Sequence, residues 1–201
     1  MEATPTTSSV LGSVFSSTSS EAEQIALWLE NDSIRLGALQ LASSLNLPDW
    51  CLAAGFVRNL AWDYTHGYID PTPLNDIDLI YFDPTQISKE RDLSIEADLK
   101  HRSNLPWSVK NQARMHLRNE DQPYISTFDA MSYWVEIETA VGARLDQAGS
   151  IELVAPFGLR SLLEKSITMN SKRPKPSEFA RRMSEKNWLG HWPQLRVVDA
   201  L

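Results

Sequence analysis

The sequence predicts an α+β protein in which a small mixed sheet carries flanking helices. Apolar residues recur at helical spacing in several segments, and short apolar or alternating runs bounded by turn residues lie between them. Two of these runs, 136–145 and 151–154, are joined by a short turn and predict an antiparallel hairpin. Strands interspersed with helices and partly paired in hairpins indicate a mixed sheet.

The first half of the chain is predicted from apolar spacing and from the residues that interrupt it. Residues 1–20 are rich in Ser and Thr and lack Lys and Arg, so we expect a disordered tail before a single domain over 21–201. Helices are expected over 21–29 and 33–45, the second capped by Asp32 or Ser33. The same patterns predict a buried strand over 50–54, a helix over 56–66, a strand over 74–82, a helix over 88–102 and a strand over 107–112.

The second half contains the hairpin between predicted helices. Thr127 is expected to cap a short helix that runs to Trp134. After the hairpin, Pro156 and Gly158 precede a helix expected over 159–169. Residues 171–201 read as a helical carboxy-terminal extension with a last helix over 177–188, and its lysines and arginines are expected on a solvated linker and helix face.

Composition narrows the possible functions. The single cysteine, Cys51, excludes an internal disulfide and a zinc site built from cysteines. The formal net charge of −7 makes a large basic face for nucleic acid unexpected. No apolar run has the length that crosses a bilayer, and the first residues resemble neither a secretory nor a mitochondrial signal, so we expect a cytoplasmic protein without membrane contact.

Two carboxylates mark the predicted strand 74–82. Asp76 and Asp78 point to the same side of the strand because side chains alternate, while Ile77 and Leu79 point to the core. Two neighbouring carboxylates repel each other unless one is protonated or a cation lies between them, and hard oxygen ligands suit Mg²⁺. The alternative is a pair of solvated charges at the end of a strand.

A glycine follows the first predicted strand. Gly55 stands where strand 50–54 turns into a helix, so its backbone can approach a phosphate and the free amides of the helix start can bind it. Arg58, one turn later, can add a bidentate phosphate contact. The alternative is a packing glycine followed by an ordinary surface arginine.

Together, Gly55-Phe-Val-Arg58-Asn59 and Asn75-Asp76-Ile-Asp78 resemble the nucleotidyltransferase superfamily of DNA polymerase β and the CCA-adding enzymes. A strand, a glycine motif, a helix and an Asp-x-Asp strand occur there in this order. Ala54 departs from that pattern, which usually has a second glycine at this position. The chain resembles more closely a family of mostly uncharacterised nucleotidyltransferase-like proteins, over about residues 48–195. The matching stretches begin at Ala54, Leu74, Val109, Thr139, Ala155 and Trp192.

The resemblance implies a nucleotidyltransferase-type sheet and a site with a third carboxylate on a neighbouring strand. Glu136 and Glu138 are the candidates, and the family pattern favours Glu136; both can also be exposed strand residues. The resemblance further implies that Mg²⁺ or Mn²⁺ binds Asp76, Asp78 and Glu136.

A dense polar cluster lies between the predicted strand 107–112 and the next helix. Its amides and cations can contact a base, a phosphate or the acceptor, although an exposed helix face or strand edge can also produce such a cluster. The nucleotide-binding residues expected from the glycine segment and this cluster are Gly55, Arg58, Asn59, Lys110, Asn111 and Arg114.

The function implied by the resemblance is metal-dependent transfer of a nucleoside monophosphate from a nucleoside triphosphate to a hydroxyl acceptor, with release of pyrophosphate. A small molecule or a protein is expected as the acceptor rather than a long nucleic acid, because the chain is acidic. The alternatives are a protein of the same fold that binds a nucleotide or a partner without turnover, and a metal-dependent phosphohydrolase.

Overall fold

The structure is a computed structural model that describes residues 20–198. Of the predicted tail over residues 1–20, only Ser20 lies within the described range, where it caps the first helix by accepting a hydrogen bond from the Glu23 amide. The other tail residues lie outside it. Two sheets and a set of helices, several of them a single turn long, make up the described part.

The main sheet has five strands and confirms the predicted fold class. Its order is β3-β2-β1-β4-β5, with β2 and β3 parallel and the other neighbours antiparallel. The strands are β1 (Cys51–Ala53), β2 (Ile77–Tyr81), β3 (Trp107–Asn111), β4 (Gly142–Leu145) and β5 (Ile151–Val154). A second sheet pairs β6 (Ser166–Thr168) with β7 (Arg196–Val198) in parallel.

Helices fill the connections between these strands. They are α1 (Glu21–Asn31), α2 (Ser33–Ser43), α3 (Gly55–His66), α4 (Lys89–Arg102), α5 (Met115–Asn119), α6 (Thr127–Met131), α7 (Arg160–Leu163), α8 (Pro176–Lys186) and α9 (Trp188–His191), with a 3₁₀ turn over Gln112–Arg114 before α5. The predicted helices at 21–29, 33–45, 56–66 and 88–102 are confirmed within a few residues. The main core lies between the sheet and α1, α2 and α3, where Trp62 and Leu79 are buried.

Two predicted elements in the second half are wrong. Only Gly142–Leu145 of the expected strand 136–145 is a strand, because Glu138 turns inward and accepts hydrogen bonds from the backbone amide and the hydroxyl of Thr168. The expected helix 159–169 stops at Leu163, since Lys165 adopts a left-handed backbone (φ 61°) and Ser166–Thr168 pairs with β7. Both errors arise from contacts between segments about 30 residues apart.

The start of α6 also differs from the prediction. Ser126 caps it by accepting a hydrogen bond from the Asp129 amide, and the helix ends at Met131 rather than at Trp134. Thr127 is instead the first helical residue, and its amide donates to the Asp49 carboxylate.

The carboxy-terminal segment is part of the main core. Trp188 and Trp192 are buried and make edge contacts with Trp62 of α3, with ring centroids 5.9 and 5.1 Å away. The Trp192 indole donates a hydrogen bond to Asp63, which also binds Thr72. The residues after α8 therefore pack against α3 and fix the position of α8 relative to it.

No helix within residues 20–198 has the length and hydropathy needed to cross a membrane.

Candidate active site

The two predicted carboxylates line one cleft at the start of β2. Asp78 lies in β2, opposite Ala53 of β1 and Ser108 of β3, and Asp76 directly precedes the strand. Asp76 is exposed and Asp78 is half-buried. Burial raises the pKa of Asp78 above its usual range, the Asp76 charge raises it further, and Ser108, Lys110 and Arg58 lower it. Burial and the neighbouring like charge thus both disfavour the ionised form of Asp78.

The connection from β1 to α3 is one residue long and strained. Ala54 has φ 56° and ψ −122°, a backbone conformation that glycine adopts readily and alanine rarely does. Its carbonyl accepts hydrogen bonds from the amides of Val57 and Arg58, and no side chain caps the start of α3. Ala54 therefore replaces the usual glycine of the motif and keeps the backbone conformation that glycine favours.

Arg58 is buried beside this helix start. Its guanidinium lies over Trp62 and Trp188, 5.1 and 4.7 Å from their ring centroids, and donates hydrogen bonds to Thr139 (2.8 Å) and Asn59 (2.9 Å). Burial lowers the pKa of Arg58 to about 10, and the charge of Glu136 acts in the opposite direction. The side chain remains a cation that faces the acids of the cleft while being held rigidly by its aromatic neighbours.

Glu136 lines the same cleft as the two aspartates and is paired with an arginine. It is 1% exposed and accepts two hydrogen bonds from Arg182 of α8, at 2.6 and 3.0 Å. Among residues 20–198, no three carboxylate, histidine or cysteine side chains are placed to share a metal ion. The expected third carboxylate instead neutralises arginines, because the bidentate pair with Arg182 satisfies both of its oxygens. Glu138, the other candidate, faces Thr168.

The cleft has a volume of about 1000 Å³ and lies between the sheet, α5 and α8. Five acids line it: Asp76, Asp78, Glu120, Glu136 and Glu178. Seven cations line it: Arg58, Lys110, Arg118, Arg173, Lys175, Arg182 and Lys186. The cleft is therefore net positive in a chain whose formal net charge is −7, which suits a polyanionic ligand.

The structure brings only part of the predicted polar cluster to the cleft. Lys110 of β3 lines it and lowers the pKa of Asp78. Asn111 is fully buried, binds the backbone of Asp83 and does not line the cleft, so its contact with a nucleotide stays a prediction. Arg114 pairs with the buried Asp92 instead. Asn59 accepts from Arg58 beneath the cleft rather than lining it.

A set of cleft residues from the carboxy-terminal segment was not predicted. The lysines and arginines after residue 171 were expected on a solvated linker and helix face, yet several of them line the cleft. Lys175, Glu178, Arg182 and Lys186 are spaced by three or four residues and form one stripe along α8. That spacing was visible in the sequence, but only the fold shows which face of α8 meets the cleft.

Comparisons with known proteins define the class. A family described as nucleotidyltransferase matches residues 40–197. A solved structure described as revealing a CCA-adding enzyme head domain is similar over 90% of this chain and 97% of its own, with 31% identity and a TM-score of 0.77. The chain therefore belongs to the nucleotidyltransferase family, and the family and fold support nucleotidyl transfer as its general reaction. A comparison with curated proteins finds no match.

More distant structures share the fold alone. A CCA-adding enzyme in complex with CTP has 15% identity and a TM-score of 0.56, and a tRNA-processing enzyme complex has 16% identity and a TM-score of 0.51. These two matches span 88% and 80% of this chain but only 43% and 42% of the longer chains.

Replacing Ala54 with glycine is expected to stabilise the protein. The positive-φ conformation costs about 1–3 kcal/mol in alanine, and glycine removes this strain. Glycine also lowers the free energy of unfolding by about 0.5–1 kcal/mol, because its unfolded chain has more conformational entropy. Urea unfolding should show the free energy of unfolding of Ala54→Gly rising by about 1 kcal/mol. Ala53→Gly, in the regular and buried part of β1, is the matched control and should lower it. A lower midpoint for Ala54→Gly would show that the turn carries no strain.

Replacing Asp78 with asparagine is expected to stabilise the metal-free protein at neutral pH. The folded pKa of Asp78 is raised, so folding favours its protonated form and the ionised carboxylate costs stability above that pKa. Thermal unfolding in EDTA at pH 7 should show a gain on the order of 0.5–1 kcal/mol for Asp78→Asn. The gain should shrink as the pH falls through the raised pKa of Asp78 in the folded protein towards its pKa in the unfolded chain, about 3.9. Asp70→Asn, on an exposed loop outside the cleft, should show no such dependence, and a gain that persists at low pH would contradict this explanation.

Proposed function

We propose that this chain transfers a nucleoside monophosphate from a nucleoside triphosphate to an acceptor hydroxyl, with pyrophosphate leaving. The observation that carries this proposal is the pair Asp76 and Asp78 at the start of β2. The pair lies in a net positive cleft beside the uncapped start of α3. The family supports the reaction class, and one distant structural relative is described in complex with CTP.

The donor set fits a divalent metal ion. Asp76 and Asp78 line the same cleft, and neither forms an ion pair with another residue of the described chain, whereas Glu136 and Glu178 are paired with arginines. Burial and then the charge of Asp76 raise the pKa of Asp78, and a cation between the two carboxylates offsets their repulsion. Such oxygen ligands suit Mg²⁺ or Mn²⁺, which when bound neutralises phosphate charge and makes the attacking hydroxyl more acidic.

The other residues near the aspartates hold the triphosphate. The first amides of α3, which no side chain caps, present hydrogen-bond donors and the positive end of the helix dipole to a phosphate. Lys110 adds a cation next to Asp78, and its ammonium group donates to the Val109 carbonyl. Catalysis by these groups consists of positioning the reacting atoms and offsetting negative charge as it develops.

Glu136 has a positioning role in this proposal. It is buried between Arg182, which it binds directly, and Arg58, whose pKa it raises. Its single negative charge keeps two arginines oriented along the cleft without placing an excess of positive charge in the core. The metal site then consists of two carboxylates, and Glu136 acts on it through the arginines.

The double variant Asp76→Asn/Asp78→Asn tests the reaction. Purified protein is incubated with each α-labelled nucleoside triphosphate, with Mg²⁺ or Mn²⁺ and with cell extract as the acceptor source. We expect metal-dependent label transfer and pyrophosphate release, and we expect the double variant to lose about a thousandfold in rate because charge neutralisation at the phosphates is removed.

The matched control is Asp70→Asn/Asp98→Asn, which removes two exposed carboxylates outside the cleft and should retain the wild-type rate. No pyrophosphate from any triphosphate, even with extract, would contradict the transferase. Release of inorganic phosphate without a labelled acceptor would favour the phosphohydrolase, and metal-dependent binding without turnover would favour a binding protein.

Glu136→Gln separates a positioning role from metal binding. Mn²⁺ binding, followed by electron paramagnetic resonance, should keep its affinity within about twofold, since the glutamine removes no metal ligand. The Kd of a non-hydrolysable nucleotide should rise about tenfold, because Arg182 loses its anchor at a cost near 1.4 kcal/mol. Asp76→Asn is the comparison, and it should lose Mn²⁺ affinity. An equal loss of Mn²⁺ affinity in Glu136→Gln would make Glu136 a metal ligand after all.

A further inference from the structure

The cleft is longer than the carboxylate site needs. The stripe Lys175, Glu178, Arg182 and Lys186 runs along the whole of α8. An 11-residue helix is about 16 Å long, so Lys175 and Lys186 lie at opposite ends of the cleft and cannot contact the same phosphate group. The cleft therefore has two cationic ends.

The inner end belongs to the carboxylate site. Lys186 ends α8, and Trp188, two residues later, packs its ring 4.7 Å from the guanidinium of Arg58 in the first turn of α3. Arg182, one turn before Lys186, is anchored by Glu136. Lys186 thus lies on the side of the cleft where α3 begins.

The outer end is built from α5 and the segment that enters α8. Arg173 pairs with Asp121 and also donates to the backbone carbonyl of Asn119, which fixes the entering segment beside the end of α5. Arg118 directly precedes Asn119, Lys175 lies two residues after Arg173, and both line the cleft. Neither Arg118 nor Lys175 has an ion-pair partner among residues 20–198, while Arg181, on another face of α8, binds Glu178 and Glu185.

The aspartates have neighbouring cations of their own on the sheet side of the cleft. The cations that lower the pKa of Asp78 are Lys110 and Arg58, which belong to the sheet side of the cleft. Glu120 and Glu178 are the acids near this end, and Glu178 is paired with Arg181, so the two unpaired cations face one unpaired carboxylate there. Arg118 and Lys175 are consequently available for an anion other than the triphosphate.

We propose that the outer end, with Arg118 and Lys175 as its ligands, binds a phosphate group carried by the acceptor. This inference rests on the proposed transfer reaction and names the substrate class of the same cleft: a small hydroxyl compound that bears a phosphate ester. The phosphate anchors the acceptor about one helix length from Lys186, and the acceptor hydroxyl then points along the cleft towards Asp76 and Asp78. Two cations in a chain of net charge −7 suit a single phosphate and not a nucleic-acid backbone.

The test uses inorganic phosphate as the probe on the full chain saturated with Mg²⁺ and a non-hydrolysable nucleoside triphosphate analogue. Binding is followed by nuclear magnetic resonance of the arginine Nε–H groups. Phosphate should still bind when the analogue fills the inner end, and Arg118→Gln/Lys175→Gln should weaken it at least tenfold. The Kd of the analogue should change less than threefold in that variant, whereas Lys186→Gln should weaken the analogue and spare phosphate.

Arg102→Gln/Arg160→Gln is the matched control, because it removes two exposed positive charges whose ion-pair partners also lie outside the cleft. It should leave phosphate binding unchanged, and a similar loss there would reduce the effect to net charge. In a second arm, a sugar phosphate should compete with phosphate at the outer end, and a short 5′-phosphorylated RNA should bind no more tightly than the sugar phosphate. Tighter RNA binding would overturn the small-molecule assignment.

Two results would overturn the outer site itself. Saturation with the analogue could abolish phosphate binding, or Arg118→Gln/Lys175→Gln could weaken the analogue as much as phosphate; either would mean that these cations serve the triphosphate. Failure of the proposed reaction is distinguishable, since it would appear as absent Mg²⁺-dependent binding of the analogue. The phosphate titration of the nucleotide-free protein, compared between the two cleft variants, would still report on the outer end.

Discussion

The buried guanidinium of Arg58 is the contact on which the site depends. It is 6% exposed, lies over the rings of Trp62 and Trp188, and donates to Thr139. A desolvated cation over an aromatic face contributes about 2 kcal/mol or more, but a buried charge also needs a counter-charge nearby. Glu136 and the two aspartates provide that negative charge. The packing of the carboxy-terminal segment and the electrostatics of the cleft therefore both depend on the position of Arg58.

The same arrangement explains why α8 belongs to the site. Glu136 accepts both hydrogen bonds of the Arg182 fork, and Arg182 lies over the ring of Trp188 on the side of the cleft next to Arg58. Two arginines thus lie over the ring of a tryptophan that is part of the core, and Glu136 binds one of them. A helix that would otherwise carry a solvated basic face becomes the wall of a cleft, with Lys175 and Lys186 at its ends.

Two local costs are concentrated where the proposed chemistry takes place. Ala54 keeps a backbone conformation that glycine favours, and the pKa of Asp78 is raised by burial and by the charge of Asp76. Features of this kind persist because the surrounding structure over-determines them and because function uses them. Here the strained turn at Ala54 positions the uncapped start of α3, and the repulsion between Asp76 and Asp78 favours binding of a cation between them.

The sequence by itself determined the order of the elements from α1 to β3, the fold class and the position of Asp76 and Asp78, because strand alternation and glycine placement are local and periodic. It left open the choice between Glu136 as a metal ligand and as an exposed strand residue, and it placed Asn111 at the nucleotide. Both outcomes depend on partners distant in the chain: Arg182, 46 residues on, binds Glu136, and the backbone of Asp83 engages Asn111. A side chain with several possible hydrogen-bond partners is assigned only when tertiary packing selects one of them, and for this reason the cationic wall of α8 was decided by the fold.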